Sequence, residues 1–327
     1  MGHTASALPQ SQGGLLIPLY VQPGPAWSAL IQAKDSNPSV PIIAVVNPDN
    51  GPGTSANPTY VTWINDLKSA GIIVIGYVYT SYASRSLSSV ETDVSNYQNL
   101  YGVEGVFLDQ MPNVLGYQSY YSAVSDYAYS LGMSLTVGNP GTSVPAAYVG
   151  TVNIIVVYES PGTPSIPAVA ADSMGMARSN FAIMSYGVSS LSSAYVQEAL
   201  GYVNYVYIAS GAFPTPYDEL PSYFSSLVAD VAEGVPTSTT VAIHVQSITL
   251  SSTALTGMWV VVEGSDGSIV ASGFTPFVYN GVAGDTYTVC MGNYNSIIFN
   301  HWDNWSTNSC RTLTLSQTEW LVPIYST

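Results

Sequence analysis

Short apolar runs recur along the first two thirds of the chain, separated by stretches whose apolar positions fall three and four residues apart. The runs cover residues 15–21, 41–47, 72–79, 105–109, 134–139, 152–159, 180–187 and 203–210. Unbroken apolar runs of this length suit strands buried on both faces of a parallel sheet. The intervening stretches 27–37, 59–70, 87–101, 118–131, 189–200 and 217–233 read as helices, and 142–150 and 164–177, with several prolines, as weaker ones. Asn57-Pro58 and Ser86 supply helix starts, while Gly71 and Gly132 supply left-handed stops. Eight strands with eight intervening helices predict an α/β fold, a (β/α)8 TIM barrel of roughly 250 residues. The alternative, an open doubly wound sheet, calls for a glycine-rich turn after its first strand. Here that position reads Tyr20-Val21-Gln22-Pro23-Gly24-Pro25, with two prolines where backbone donors are needed. The barrel is expected over residues 13–236, after an N-terminal extension of residues 1–12.

Beyond Gly234 the helical period stops. Residues 242–246 and 258–262 alternate, and turns fall at Gly264-Ser265-Asp266-Gly267 and across 281–285. A small all-β sandwich over 237–327 is expected. Cys290 ends one predicted strand and Cys310 begins another, so a disulfide between neighbouring strands is plausible, with two buried thiols as the alternative. The aromatic segment 299–305 reads equally as a carbohydrate platform or as a plug beneath a hairpin, and His301 with Asp303 is too little for a metal site.

Charge narrows the partners. Twenty Asp and Glu against five Lys and Arg leave a net charge of −15. Nucleic acids and anionic membranes both need a basic footprint, so neither is an expected partner. No segment is long and apolar enough to span a bilayer. Residues 1–9 carry no basic or apolar leader segment. Few lysines, many tyrosines and serines, and a candidate disulfide nevertheless point to a secreted, extracellular or cell-surface protein, expected here as a mature form whose leader has been removed.

The candidate chemistry is set as much by what the barrel lacks. No histidine lies between His3 and His244, and no cysteine before Cys290. A Ser-His-Asp or Cys-His mechanism is therefore ruled out, as is a His/Cys zinc cluster, and no cofactor is expected. Lys34 and Lys68 fall on helices and Arg178 after one, which argues against a phosphate clamp or a Schiff base. Most acids lie on helices as solvated charge. Only Asp49, Asp109 and Glu159 follow strand carboxyl ends, where barrel enzymes keep their sites, and Asp49 in Asn47-Pro48-Asp49-Asn50-Gly51 also reads as a turn former. Asp109 and Glu159 are the candidate catalytic pair, the other reading being that each caps its loop. Two carboxylates facing one cleft are the minimum for glycoside hydrolysis. Strand positions 4 and 6 are too coarse to separate retention from inversion. Tyr20, Asn47, Tyr79, Asn139 and Tyr186, at other strand ends, are candidate sugar contacts, with Gln110 beside Asp109.

Several of these segments, in order, resemble the spherulin-4 family: Leu16-Ile17-Pro18-Leu19-Tyr20, Val45-Val46-Asn47-Pro48, Gly51-Pro52-Gly53, Gly76-Tyr77-Val78-Tyr79, Gly105-Val106-Phe107-Leu108-Asp109, Val137-Gly138-Asn139-Pro140-Gly141 and Val157-Tyr158-Glu159. The resemblance covers about residues 13–230. It implies a (β/α)8 secreted glycoside hydrolase acting on a polysaccharide containing N-acetylgalactosamine and galactosamine, with Asp109 and Glu159 as its acids. The family follows that Asp with Glu; here the position is Gln110, which can hydrogen-bond but not exchange a proton. A carbohydrate-binding protein without activity stays open for that reason. Residues 273–277 and 285–289 are similar to PEGA-like repeats of surface proteins, which leaves open a structural surface component that self-associates through the β domain.

Overall fold

The computed structural model describes residues 13–234, 240–282, 284–315 and 318–327. The expected extension over 1–12 lies outside them. The chain divides into two compact units, Met1–Pro236 and Thr237–Thr327.

In the first unit eight parallel strands close into a barrel: β1 (Gly14–Leu19), β2 (Ile42–Val46), β3 (Ile73–Tyr79), β4 (Gly105–Asp109), β5 (Leu135–Asn139), β6 (Ile154–Pro161), β7 (Phe181–Tyr186) and β8 (Tyr205–Ile208), in sequence order, with β8 pairing back onto β1. All residues of β1, β2 and β8 are buried, because helices cover the outside while side chains from the strands fill the inside. The strands are therefore apolar without alternation. Among the described residues seven α-helices form the outer layer: α1 (Pro25–Ser36), α2 (Pro58–Ser69), α3 (Leu87–Tyr101), α4 (Gln118–Ser130), α5 (Ile166–Asp172), α6 (Ser193–Ala199) and α7 (Phe224–Glu233). Asn57 and Ser86 cap α2 and α3 through their side chains.

The expectation of eight helices is corrected among the described residues. The β5–β6 connection holds only a 3₁₀ turn, Ala146–Tyr148. Pro140 and Pro145 remove amide donors there, and too few residues remain between them and Gly150 for a packed helix. Residues 217–223 also stay outside α7.

Two local features set the barrel mouth. Gly105 lets β4 approach β5 closely, since a Cβ there would overlap the carbonyl oxygen of Leu135. One rung of pairing then aligns Tyr79, Asp109 and Asn139 on β3, β4 and β5. On β6 the pairing with β7 skips at Val157, matching Val156 to Ala182 but Tyr158 to Ile183. An extra residue of this kind re-aims everything beyond it, including Glu159, which pairs with Met184.

The second unit is all β: β9 (Thr240–Val245), β10 (Ile248–Thr249), β11 (Trp259–Glu263), β12 (Ile269–Phe274), β13 (Phe277–Val282), β14 (Thr286–Met291), β15 (Ile298–Trp302), β16 (Cys310–Thr314), β17 (Glu319–Leu321) and β18 (Pro323–Ser326). They form three sheets, β10-β18-β15, β12-β11-β14-β16 and β13-β9-β17. Their shared core includes Val260, Val289, Trp302, Leu321 and Tyr325. Cys290 and Cys310 are register partners on β14 and β16 and are joined by a disulfide. In the aromatic segment Trp302 is fully buried, while Trp305 is 78% exposed and stacks on the His301 ring at 4.5 Å.

Candidate active site

The abrupt end of β4 delivers Asp109 to the carboxyl-terminal mouth of the barrel, and the shifted register of β6 turns Glu159 toward it. The strand between them closes the gap. Asn139, at the end of β5, donates through its single amide nitrogen to Asp109 Oδ1 at 2.8 Å and to Glu159 Oε2 at 2.5 Å. Because both bonds share that nitrogen, the two acceptor oxygens are at most 5.3 Å apart. Asn139 is only 5% exposed and its Oδ1 has no partner. It is therefore a buried strut between the two acids.

Each acid also accepts a phenolic hydrogen bond on its other oxygen. Tyr77 Oη donates to Asp109 Oδ2 at 2.8 Å, and Tyr217 Oη to Glu159 Oε1 at 2.9 Å. Burial raises both phenols' pKa values, and the adjacent carboxylate charge adds to it, so both stay protonated as donors. Tyr20 sits between them, edge-on to Tyr77 at 5.6 Å and to Tyr217 at 6.0 Å. Burial, then the charges of Asp109 and Glu159, hold its hydroxyl far above the usual range. Tyr186 closes the row edge-on to Tyr217 at 6.3 Å.

The environment acts on the proton affinity of Glu159. Burial raises the Glu159 pKa, with the Asp109 charge adding to the shift; the bonds from Asn139 and Tyr217 oppose it. A carboxyl kept protonated to higher pH is suited to giving a proton. Asp109, held by Tyr77 and Asn139, presents a carboxylate geometry in which both oxygens accept. Loss of the Tyr217 hydroxyl removes one stabiliser of the Glu159 anion, so the Glu159 pKa rises further. In Tyr217→Phe the basic limb of a kcat/KM profile should move upward by roughly half a pH unit to one unit. A limb that stays in place, or moves down, contradicts this contact.

The other sequence candidates scatter around this centre. Tyr79 shares the rung of Asp109, but its ring lies under the Arg85 guanidinium at 4.2 Å. Asn47 Oδ1 accepts from the Gly51 amide at 2.7 Å, shaping its own loop. Asp49 lies in that turn, bonded through its amide to the Gly51 carbonyl. Gln110 is half-buried with φ of 55°, and its carbonyl accepts from the Tyr82 amide. Tyr217 was missed: its position suggested the start of a helix, and no local pattern marks a loop residue that returns to strand 6. Tyr77 lies in the family-like segment Gly76-Tyr77-Val78-Tyr79, which carried no sign of its bond to Asp109. Among the described residues no group of three His, Cys, Asp or Glu could hold a metal, and no helix is long and apolar enough to cross a membrane.

Residues 14–231 match the sequence model of spherulation-specific family 4. Spherulin-4 of Physarum polycephalum is 38% identical over 152 residues, which take in 46% of this chain and 45% of that protein. The chain thus matches less than half of the length of that relative. Among solved structures, Aspergillus clavatus Sph3 in complex with GalNAc superimposes with a TM-score of 0.59 at 23% identity, over 68% of this chain and 98% of Sph3.

Proposed function

The chain belongs to spherulation-specific family 4, and we propose that its barrel is a glycoside hydrolase that cleaves a polysaccharide containing N-acetylgalactosamine or galactosamine. The observation that carries the reading is the pair of acids joined through Asn139, one of which, Glu159, is held protonated to higher pH by burial. The GalNAc bound to Sph3 supports a hexosamine as the sugar. The disulfide is compatible with a secreted protein.

The separation favours retention, because retaining enzymes hold their carboxyls about 5–5.5 Å apart and inverting ones about 6.5–9.5 Å. In this mechanism Glu159 protonates the glycosidic oxygen as the C1–O bond breaks, and the Asp109 carboxylate bonds to C1. Glu159, now ionised, then takes a proton from water, whose oxygen displaces Asp109 and restores both groups. Tyr77 keeps Asp109 aimed at C1. Tyr20 and Tyr186 offer aromatic surface to the sugar ring, and Gln110 offers an amide to its hydroxyls.

Reducing-end release from N-acetylgalactosamine-containing polysaccharides by the wild-type protein tests the reading. Release supports it. Binding without release supports the second reading, a carbohydrate-binding protein, which rests on Gln110 standing where the family carries Glu. In that case Gln110→Glu is expected to restore release.

A further inference from the structure

The loop that leaves β3 contains a run of backbone that the proposed chemistry has not used. Ser81, Tyr82 and Ala83 are all left-handed, with φ of 50°, 55° and 62°. L-residues visit this region singly, at a steric cost, and for a bulky side chain it is an outlier. Glycine would make the same turn without steric cost. Such conformations persist where the surroundings over-determine them, and they cluster at ligand sites.

The surroundings here are explicit. Thr80, fully buried, lies with Oγ1 2.9 Å from the carbonyls of both Asp109 and Gln110 and 2.6 Å from the Tyr121 hydroxyl. The Thr80 amide also donates to the Asp109 carbonyl, and the Tyr82 amide donates to the Gln110 carbonyl at 2.8 Å. The turn closes on itself through Ser84 N to Ser81 O. Its backbone is thus riveted to the two residues at the end of β4, and Tyr82 itself is 61% exposed. A tyrosine ring is held out to solvent, on a rigid support, one hydrogen bond from the residue that follows Asp109.

We propose that Tyr82 is a sugar-binding platform next to the cleavage point, on which a hexopyranose ring of the polysaccharide stacks through its C–H face. The inference rests on the glycosidase reading and adds a subsite to it. An apolar ring with two rotatable bonds loses little entropy on binding, and the clamped turn removes the backbone share of that loss. The turn has a second effect, since the same hydrogen bonds set where Asp109 stands; ring and acid are registered to each other through backbone rather than through a flexible loop.

Tyr82→Asn separates the ring from the turn, because Asn accepts left-handed backbone readily. Affinity for a soluble N-acetylgalactosamine-containing polysaccharide and the kcat and KM for its hydrolysis are to be measured for wild type, Tyr82→Asn and Tyr82→Phe. Tyr82→Asn should weaken binding and raise KM by about tenfold with kcat near that of wild type, and Tyr82→Phe should stay within about twofold. Wild-type affinity in Tyr82→Asn, or an equal loss in Tyr82→Phe, overturns the platform while leaving the glycosidase reading intact. A wild-type protein that neither binds nor cleaves the polysaccharide overturns both.

Discussion

Asp109→Asn and Glu159→Gln will each lower kcat for polysaccharide hydrolysis by about a thousandfold or more, with binding of the polysaccharide retained. Each exchange keeps size but replaces one acceptor oxygen by an NH2 donor and removes charge and proton exchange. The remaining carbonyl oxygen can still accept from Asn139, and the new NH2 faces a phenol oxygen that can accept, Tyr77 at residue 109 and Tyr217 at residue 159, so the mouth should keep its shape. The two losses should differ in kind. If Glu159 is the proton donor, an aryl glycoside with a strongly acidic leaving group needs no such help, and Glu159→Gln should keep much of its cleavage of the first bond. Asp109→Asn should lose activity on both substrates, because no carboxylate remains to meet C1. Equal losses on both substrates would reverse or merge the assigned roles. Unimpaired hydrolysis by either variant would remove the two-carboxylate mechanism.

Cutting the Cys290–Cys310 link, by Cys290→Ser with Cys310→Ser, will destabilise the β unit by about 3 kcal/mol, the chain-entropy value for a loop of this length. For a domain of this size each kcal/mol corresponds to roughly 4–8 °C, so its melting transition should fall by about 12 °C or more. The bond joins register partners on β14 and β16, and Cys310 sits on a strand at the edge of its sheet. Without it β16 is held by the β14 ladder and by the Thr286–Thr314 and Thr288–Thr312 hydroxyl pairs. The barrel has a separate core, so hydrolysis at 25 °C should not change. Calorimetry with and without reductant measures the first expectation and reducing-end assay the second. An unchanged lower transition would mean that the β unit is held by its core alone.

The barrel was legible in the sequence because burial on both faces leaves strands as plain apolar runs, and these runs lie in chain order around the closed sheet. Asp109 was legible because a carboxylate ends such a run. Glu159 was legible as a residue but not as a direction: the skip at Val157 that turns it depends on pairing with β7, which is contact between distant segments. Asn139 was legible as a strand-end amide, but its bonds to both acids were not. Tyr79 and Asn47 were legible as strand-end residues in the same way, but not the Arg85 guanidinium over the first or the loop amide bonded to the second. Strand-end position alone does not distinguish these fates, because each is decided by the loop that folds over it.

By itself, then, the order of apolar runs determined the closed barrel, and the lack of histidine and cysteine between His3 and His244 directed attention to the carboxylates, amides, hydroxyls and aromatics at its strand ends. Tertiary structure alone decided that the acids share one amide, that Tyr217 returns from beyond β8 to meet Glu159, and that Tyr82 is held in a left-handed turn against the end of β4. The physical reason is range. Burial pattern and strand ends are local properties that a run of residues carries with it, whereas hydrogen bonds between side chains 30 and 58 residues apart exist only once closure has brought separate strands to a common rim.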